Sequence, residues 1–365
     1  MTMKMIWKIL SGVAIASSLA AAHVAQAAPP NRNVTNEDGG TQDRSAYSEM
    51  SSTKAFHRAG EDVPVNVTFH NNTRAPIAIA KWMLDQDDPD RSFLRVSRNG
   101  QPVDYIGAMV KRAAPTADDV VMLNPGQSIN VNYELSSSHD LSEGGVYNVN
   151  FATSVKHGLG TNVMPSDTIS LAVEADSSRS VLSSADYLKA AGAGGVSYTG
   201  RCSASQQSSL VSALSSAGTY ANGAVNYLNQ TPAATARYTT WFGALSISNW
   251  NTVASHYTKI KSMIDTKPIV FDCSCKKSGT YAYVYPNQPY KIYLCGAFWS
   301  ASLTGTDSKA GTIVHEASHF TVNGGTQDNA YGQSAAKSLA ISNPAAAIAN
   351  ADSHEYFAEN TPAQP

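Results

Sequence analysis

The chain has 365 residues, 26 Lys+Arg against 28 Asp+Glu, a formal net charge of −2, and 42% hydrophobic but only 15% charged residues. That length allows about two domains of ~150 residues each. The near-neutral balance offers no basic field for nucleic acid or anionic lipid, so neither is expected as a partner.

The amino terminus, MTMKMIWKIL, carries Lys4 and Lys8 and no acid; the apolar run ILSGVAIASSLAAA follows, and then AQA at 25–27. A charged start, a short apolar core and a small-x-small site make a secretory signal peptide, here residues 1–27. The run is shorter than the ~20 residues that span a bilayer, so no membrane anchor is expected. Export fits the cysteines, which are Cys202, Cys273, Cys275 and Cys295. An even number in an exported chain implies two disulfides. A bond between Cys273 and Cys275 would strain the backbone, so each pairs with either Cys202 or Cys295.

Residues 60–175 alternate with period two. Val63, Val65, Val67 and Phe69 share one face, as do Ile129, Val131, Tyr133 and Leu135; Tyr147, Val149 and Phe151; and Ile169, Leu171 and Val173. The pattern predicts half-buried antiparallel strands. Asn99-Gly100 within SRNGQP supplies a hairpin turn. An all-β, sandwich-like domain over 28–188 is expected. Its histidines, His57, His70, His139 and His157, form no cluster and are read as surface or turn residues.

Between 176 and 200 the texture changes to Ser, Ala and Gly. A short helix around 185–190 followed by a flexible AGAGG marks the boundary, with the second domain running from 189 to 365. In that domain, SQQSSLVSALSSAGTYANGAVNYL predicts a helix burying Leu210, Leu214 and Val225. TYAYVYP and YKIYLCGAFW read as strands. SKAGTIVHEASHF predicts a helix with Ile313, Ala317 and Phe320 on its buried stripe, stopped by the glycines of NGG at 323–325.

On that last helix His315 and His319 stand one turn apart, so both imidazoles reach one ion. Glu316 lies on the adjoining flank, placed for a water rather than the metal. This is the His-Glu-x-x-His logic of zinc hydrolysis, in which zinc acidifies a water and the glutamate takes its proton. A third ligand is needed. A metzincin would require glycine at 322 and histidine at 325, where this chain has Val322 and Gly325. Glu355 or Glu359 would serve in a thermolysin-like arrangement. Asp328 is nearer, if the chain reverses at Gly324–Gly325.

With HEASHF followed by NGGTQDNAYG, the second half resembles the aspzincins, the family of deuterolysin and peptidyl-Lys metalloendopeptidase. ARYTTWFG at 236–243, FDCSC at 271–275, YAYVYPN at 281–287, YLCGAFW at 293–299 and NADSHEYFAEN at 350–360 are similar to the peptidyl-Lys branch. The resemblance covers about residues 197–365. It implies an α+β zincin-like catalytic domain, mainly helical with a small sheet. It implies one Zn2+ per chain on His315, His319 and Asp328, with Glu316 as general base and Tyr331 as a hydrogen-bond donor to the oxyanion. It also implies the pairings Cys202–Cys273 and Cys275–Cys295. Asp352 and Glu355, three residues apart and so on one face of a helix, would bind the ammonium of a substrate lysine.

The expectation is therefore a secreted, monomeric zinc endopeptidase made as a prepro-zymogen and cutting proteins on the amino side of lysine. Its propeptide would act as an intramolecular inhibitor. That half has no cysteine, so a thiolate on zinc is excluded and some other segment must block the cleft. Lys189 is the one lysine at the boundary, which makes Leu188–Lys189 the expected self-processing bond. Two alternatives stand beside this reading: a broad deuterolysin-type protease without lysine preference, and a non-catalytic secreted binding protein.

Overall fold

The computed structural model describes residues 46–86, 88–151, 166–179, 183–190 and 195–365. The signal-peptide reading of 1–27 and His157 lie outside the described residues. The amino-terminal half contributes β1 (Ala46–Ser51), β2 (Phe56–His57), β3 (Pro64–Asn71), β4 (Ile77–Ala80), α1 (Lys81–Leu84), β5 (Leu94–Arg98), β6 (Gln101–Pro102), β7 (Met109–Arg112), β8 (Val120–Leu123), β9 (Ser128–Glu134), β10 (Gly145–Phe151) and β11 (Ile169–Val173). Three strands form one sheet in the order β1-β3-β9, five form another in the order β2-β11-β10-β5-β6, and β4 pairs with β8. The period-two faces carry the core: Val65, Val67, Phe69, Val131, Tyr133, Tyr147, Val149, Phe151, Leu171 and Val173 share one buried cluster. Alternation puts every second side chain inward, so both sheets feed the same core. Ile129 and Ile169 sit at its margin. The β5–β6 hairpin turns on Asn99 and Gly100, both at positive φ (51° and 76°), as a primed turn requires.

Two histidines of this half, His57 and His139, are buried; His57, in β2, departs from the surface-or-turn expectation, while His139 keeps to its turn. His57 Nδ1 lies 3.1 Å from the Asp62 carbonyl. His139 sits in the 135–139 turn beside Ser138 Oγ, where local hydrogen bonding satisfies a ring that period-two arithmetic cannot place.

The rest of the chain forms α2 (Ser184–Ala190), β12 (Gly195–Thr199), α3 (Ala204–Leu228), α4 (Ala236–Phe242), α5 (Ile247–Thr266), β13 (Pro268–Asp272), β14 (Thr280–Val284), β15 (Lys291–Leu294), α6 (Gly296–Ser300), α7 (Lys309–His319), α8 (Gly332–Ser342), α9 (Pro344–Ala347) and α10 (Ala351–Glu359). Its sheet runs β12-β13-β15-β14-β7. The fifth strand is therefore borrowed from the amino-terminal half. It pairs antiparallel with β14, Met109 opposite Val284 and Val110 opposite Tyr283. The disulfides are Cys202–Cys273 and Cys275–Cys295, the pairing that the resemblance implies.

α3 starts in a capping box, with Ser203 and Gln206 satisfying each other's backbone N–H. Its buried face is Leu210, Ala213, Ala217, Ala221, Ala224 and Leu228. Leu214 and Val225, expected inside, only border the core. Small side chains let α5 and α7 approach the helix closely, so the alanine ridge faces inward and the larger residues fill the rim. α7 likewise differs from a one-stripe helix: Ala310 to His319 are all buried. A helix enclosed on every side must satisfy its polar side chains inside the protein, which is the setting of a site.

Candidate active site

α7 ends at His319, earlier than the glycines at 323–325 suggested. A short turn follows, and Gly325 adopts φ +59°, which a side chain rarely tolerates. The chain then runs back along the helix. Thr326 N–H donates to the Ser318 carbonyl (3.2 Å), and the Ser318 and Thr326 hydroxyls meet at 2.6 Å. Asn350 Oδ1, from the start of α10, accepts from the N–H groups of Asn329 and Ala330, both at 3.0 Å. These contacts fix Asp328 against the helix. Its Oδ1 lies 3.2 Å from His315 Nε2 and 3.4 Å from His319 Nε2.

All three side chains are buried, and among the described residues His315 Nε2, His319 Nε2 and Asp328 Oδ1 have no hydrogen-bond partner. Both oxygens of the buried Glu316 are also without one. Polar atoms orphaned in a dry interior are costly unless something else engages them. Two imidazole nitrogens and a carboxylate oxygen converging within 4.8 Å fit one divalent cation. The outer contacts suit ligation too. His319 Nδ1 faces the Thr326 carbonyl at 2.9 Å, which keeps the proton there and leaves Nε2 free. His315 Nδ1 faces Asp352 Oδ1 at 3.0 Å and Glu355 Oε2 at 3.2 Å.

The electrostatics follow from this crowding. Burial pushes the Asp328 carboxyl up, but His319 and His315 outweigh it and hold the group well below the usual carboxylate range. Burial raises Glu316 to about 7. Burial also pushes the Tyr331 phenol well above its ordinary value, so it stays a donor. It donates to the Val110 carbonyl at 2.9 Å.

Of the other candidates for third ligand, Glu359 is engaged elsewhere, and Glu355 faces His315 Nδ1 rather than the Nε2 atoms that meet Asp328. Glu359 caps α7: its Oε1 accepts from Ser308 N–H (2.9 Å) and Ser308 Oγ (2.8 Å). It comes so close to the helix that a Cβ on Gly311 would lie 2.0 Å from Oε1. Glu355 and Asp352 face a cation. Lys111, fully buried, places Nζ 2.5 Å from Glu355 Oε2, 3.3 Å from Asp307 Oδ1 and 3.8 Å from Asp352 Oδ1. The rings of Tyr281 and Tyr356 flank the ammonium at 5.0 and 5.9 Å. Burial alone would lower the Lys111 pKa; Glu355, Asp352 and Asp307 together raise it well above the ordinary lysine value. Next to it, the Arg112 guanidinium donates to Asp88 (2.6 Å), Asp90 (3.0 Å) and Tyr331 Oη (3.1 Å), and stacks over Trp82 at 5.0 Å.

The site thus gathers His315, Glu316, His319, Asp328, Tyr331, Asp352 and Glu355. Lys189 lies in α2. Asp307, Asn350, Lys111 and Arg112 escaped the sequence reading. Only Asn350 and Asp307 had a signal, Asn350 as the first residue of a segment already singled out and Asp307 just before another.

The fold and site define a metalloendopeptidase, and the comparisons with known proteins agree. A family profile described as "Lysine-specific metallo-endopeptidase" matches residues 227–359. An "Extracellular protease" of Aeromonas hydrophila is 44% identical over 312 residues, 83% of this chain and 90% of that one. A "Peptidyl-Lys metalloendopeptidase" of Grifola frondosa is 43% identical over 289 residues, 76% of this chain and 81% of that one. A solved zinc peptidase from Grifola frondosa is 57% identical, covering 45% of this chain and all of that one, with a TM-score of 0.44. This chain belongs to the aspzincin family of metalloendopeptidases.

Proposed function

We propose that the protein is a secreted zinc endopeptidase that hydrolyses the peptide bond on the amino side of lysine, made with a sandwich-like pro-domain that keeps it latent. The observation that carries the lysine preference is the pocket of Glu355, Asp352 and Asp307, which surrounds an ammonium beside the orphaned ligand set. Three carboxylates in a largely buried pocket favour a compact cation over any neutral side chain. Export rests on the signal-peptide pattern of residues 1–27 and on the name of the Aeromonas relative.

His315, His319 and Asp328 would hold the metal. Zinc in such a site supplies Lewis-acid chemistry and lowers the pKa of a water. The chain's own residues do the remainder. Substrate lies along β14 with its lysine in the pocket, which aligns the preceding carbonyl with Tyr331. Glu316 accepts a proton from the attacking water and delivers it to the leaving amine of the lysine. The Tyr331 phenol donates to the carbonyl oxygen as charge builds on it. Asp352 and Glu355 hold the His315 ring and read the lysine at once, which couples specificity to ligand orientation.

The test is to digest a denatured protein with the zinc-loaded, processed enzyme and sequence the peptides. New amino termini at lysine, abolished by a chelator and restored by zinc, support the reading. Termini spread over many residue types would favour the broad deuterolysin-type alternative.

A further inference from the structure

β7 comes from the amino-terminal half, yet it lies in the cleft as a substrate would. We propose that Lys111 fills the lysine pocket of the unprocessed protein, and that the strand Met109–Arg112 closes the cleft to other chains. The proposal rests on the reading that this pocket recognises lysine.

Three observations converge. First, β14 is the last strand that the catalytic half supplies to its sheet, and β7 completes that edge antiparallel, with Ala282 opposite Lys111. An exposed edge is where an extended peptide adds to a sheet, so the strand occupies the place substrates need. Second, the Lys111 ammonium is wholly enclosed by Glu355, Asp307 and Asp352. A cation is stable in such a place only when paired, and this pocket is charged for it. Third, the residue before the lysine meets the catalytic groups. The Val110 carbonyl accepts from the Tyr331 phenol at 2.9 Å, and Val110 N–H donates to Asp328 Oδ2 at 3.0 Å. That is the polarity a cut on the amino side of lysine demands.

The rest of the amino-terminal half clamps the strand. Asp88 and Asp90 hold Arg112, and Lys277 of the catalytic half reaches Asp88 at 3.2 Å. Arg112 in turn donates to the same phenol that serves Val110. Ala114, just beyond, lies against Gly332, where a Cβ would come within 2.6 Å of the alanine methyl. Latency then needs no cysteine: a lysine held by its own domain competes at high effective concentration with any lysine in solution.

The experiment measures binding, not turnover. The full chain is zinc-loaded and carries Glu316→Gln, so a fluorescein-labelled peptide with one central lysine is not cut. Its affinity is compared in this protein and in the same protein with Lys111→Met, beside a twin peptide with norleucine for lysine. The expected result is a gain of at least about tenfold for the lysyl peptide when Lys111 is removed, and a smaller gain for the norleucyl twin. No gain in a folded, zinc-bearing variant overturns the proposal. An equal gain for both peptides overturns the lysine reading instead. If Lys111→Met fails to fold, amine acetylation of the Glu316→Gln chain decides. Lys111 should react far more slowly than Lys54, whose side chain is 56% exposed, and should gain reactivity when excess lysyl peptide is added. Equal reactivity of the two lysines without peptide overturns the proposal.

Discussion

Neutralising the three carboxylates of the lysine pocket one at a time should give graded losses that follow burial and distance. Glu355 is fully buried and 2.5 Å from the ammonium, so Glu355→Gln removes a charge-assisted contact with no water to replace it. Such contacts are worth ~1.5–3 kcal/mol, so kcat/KM for a lysyl substrate should fall roughly 10- to 150-fold. Asp307 stands 3.3 Å away but its side chain is 33% exposed, and solvent screens it. Asp307→Asn should cost roughly 0.5–1 kcal/mol, or about 2- to 5-fold. Asp352 is buried but 3.8 Å away, and its Oδ2 accepts the Gly332 N–H at 2.6 Å. Asp352→Asn should fall between the two on lysine and also loosen the start of α8. The assay is steady-state kinetics of the processed enzyme on paired peptides, with lysine or norleucine after the scissile bond, and metal content measured alongside. Glu355 and Asp352 also face His315, so a loss common to both peptides would report ligand disorder. Asp307 touches no ligand, which makes Asp307→Asn the clean probe. If it slows both peptides equally, or neither, the three-carboxylate pocket is wrong.

Other expectations follow from the same geometry. Asp328→Ala should lower zinc affinity by at least an order of magnitude, read by equilibrium dialysis, since it removes the only carboxylate among the three proposed ligands; unchanged affinity would remove Asp328 from the set. At the boundary, we expect the first cut of the proenzyme at Leu188–Lys189, with an N-terminus at Lys189 that Lys189→Ala abolishes. Lys189 lies in α2, so this cut requires the helix to unwind, and an unchanged N-terminus in the variant would assign processing to another bond or another protease. Burial, aided by Arg95, holds the His139 pKa down at about 3 from an ordinary 6.5. A depressed histidine contributes stability fully above 6.5 and loses it as pH falls towards 3, at up to about 1.4 kcal/mol per pH unit. Urea midpoints at neutral and mildly acidic pH should show that slope for the wild type and a shallower one for His139→Gln; equal slopes would refute it.

The sequence made the metal helix legible because its chemistry is local. His315 and His319 meet through the helical repeat alone, and Glu316 falls on the flank by the same geometry. The period-two strands were legible for a similar reason. α3 buries a different face from the one its larger residues suggest, because the packing of three helices selects alanine at the contact. Asp328 was legible as the nearer candidate beside Glu355 and Glu359, but choosing it needed the family resemblance; the backbone reversal at Gly325 and the Asn350 side chain bring it to the histidines. Lys111 was illegible. It is 244 residues from Glu355, and nothing in MVKR separates it from any other lysine in a strand. Its meaning lies in the sheet edge it covers. The absence of a cysteine from the amino-terminal half excludes only a thiolate on the metal and points to no particular segment.

We propose that Glu316 is the base of this metal-dependent peptidase and does not bind the metal. The most direct measurement is the turnover of Glu316→Gln beside its zinc content, in processed enzyme cutting a lysyl peptide. One zinc per chain, an unchanged fold and a fall in kcat of roughly 100- to 10,000-fold are expected. Near-normal turnover with zinc in place would contradict it.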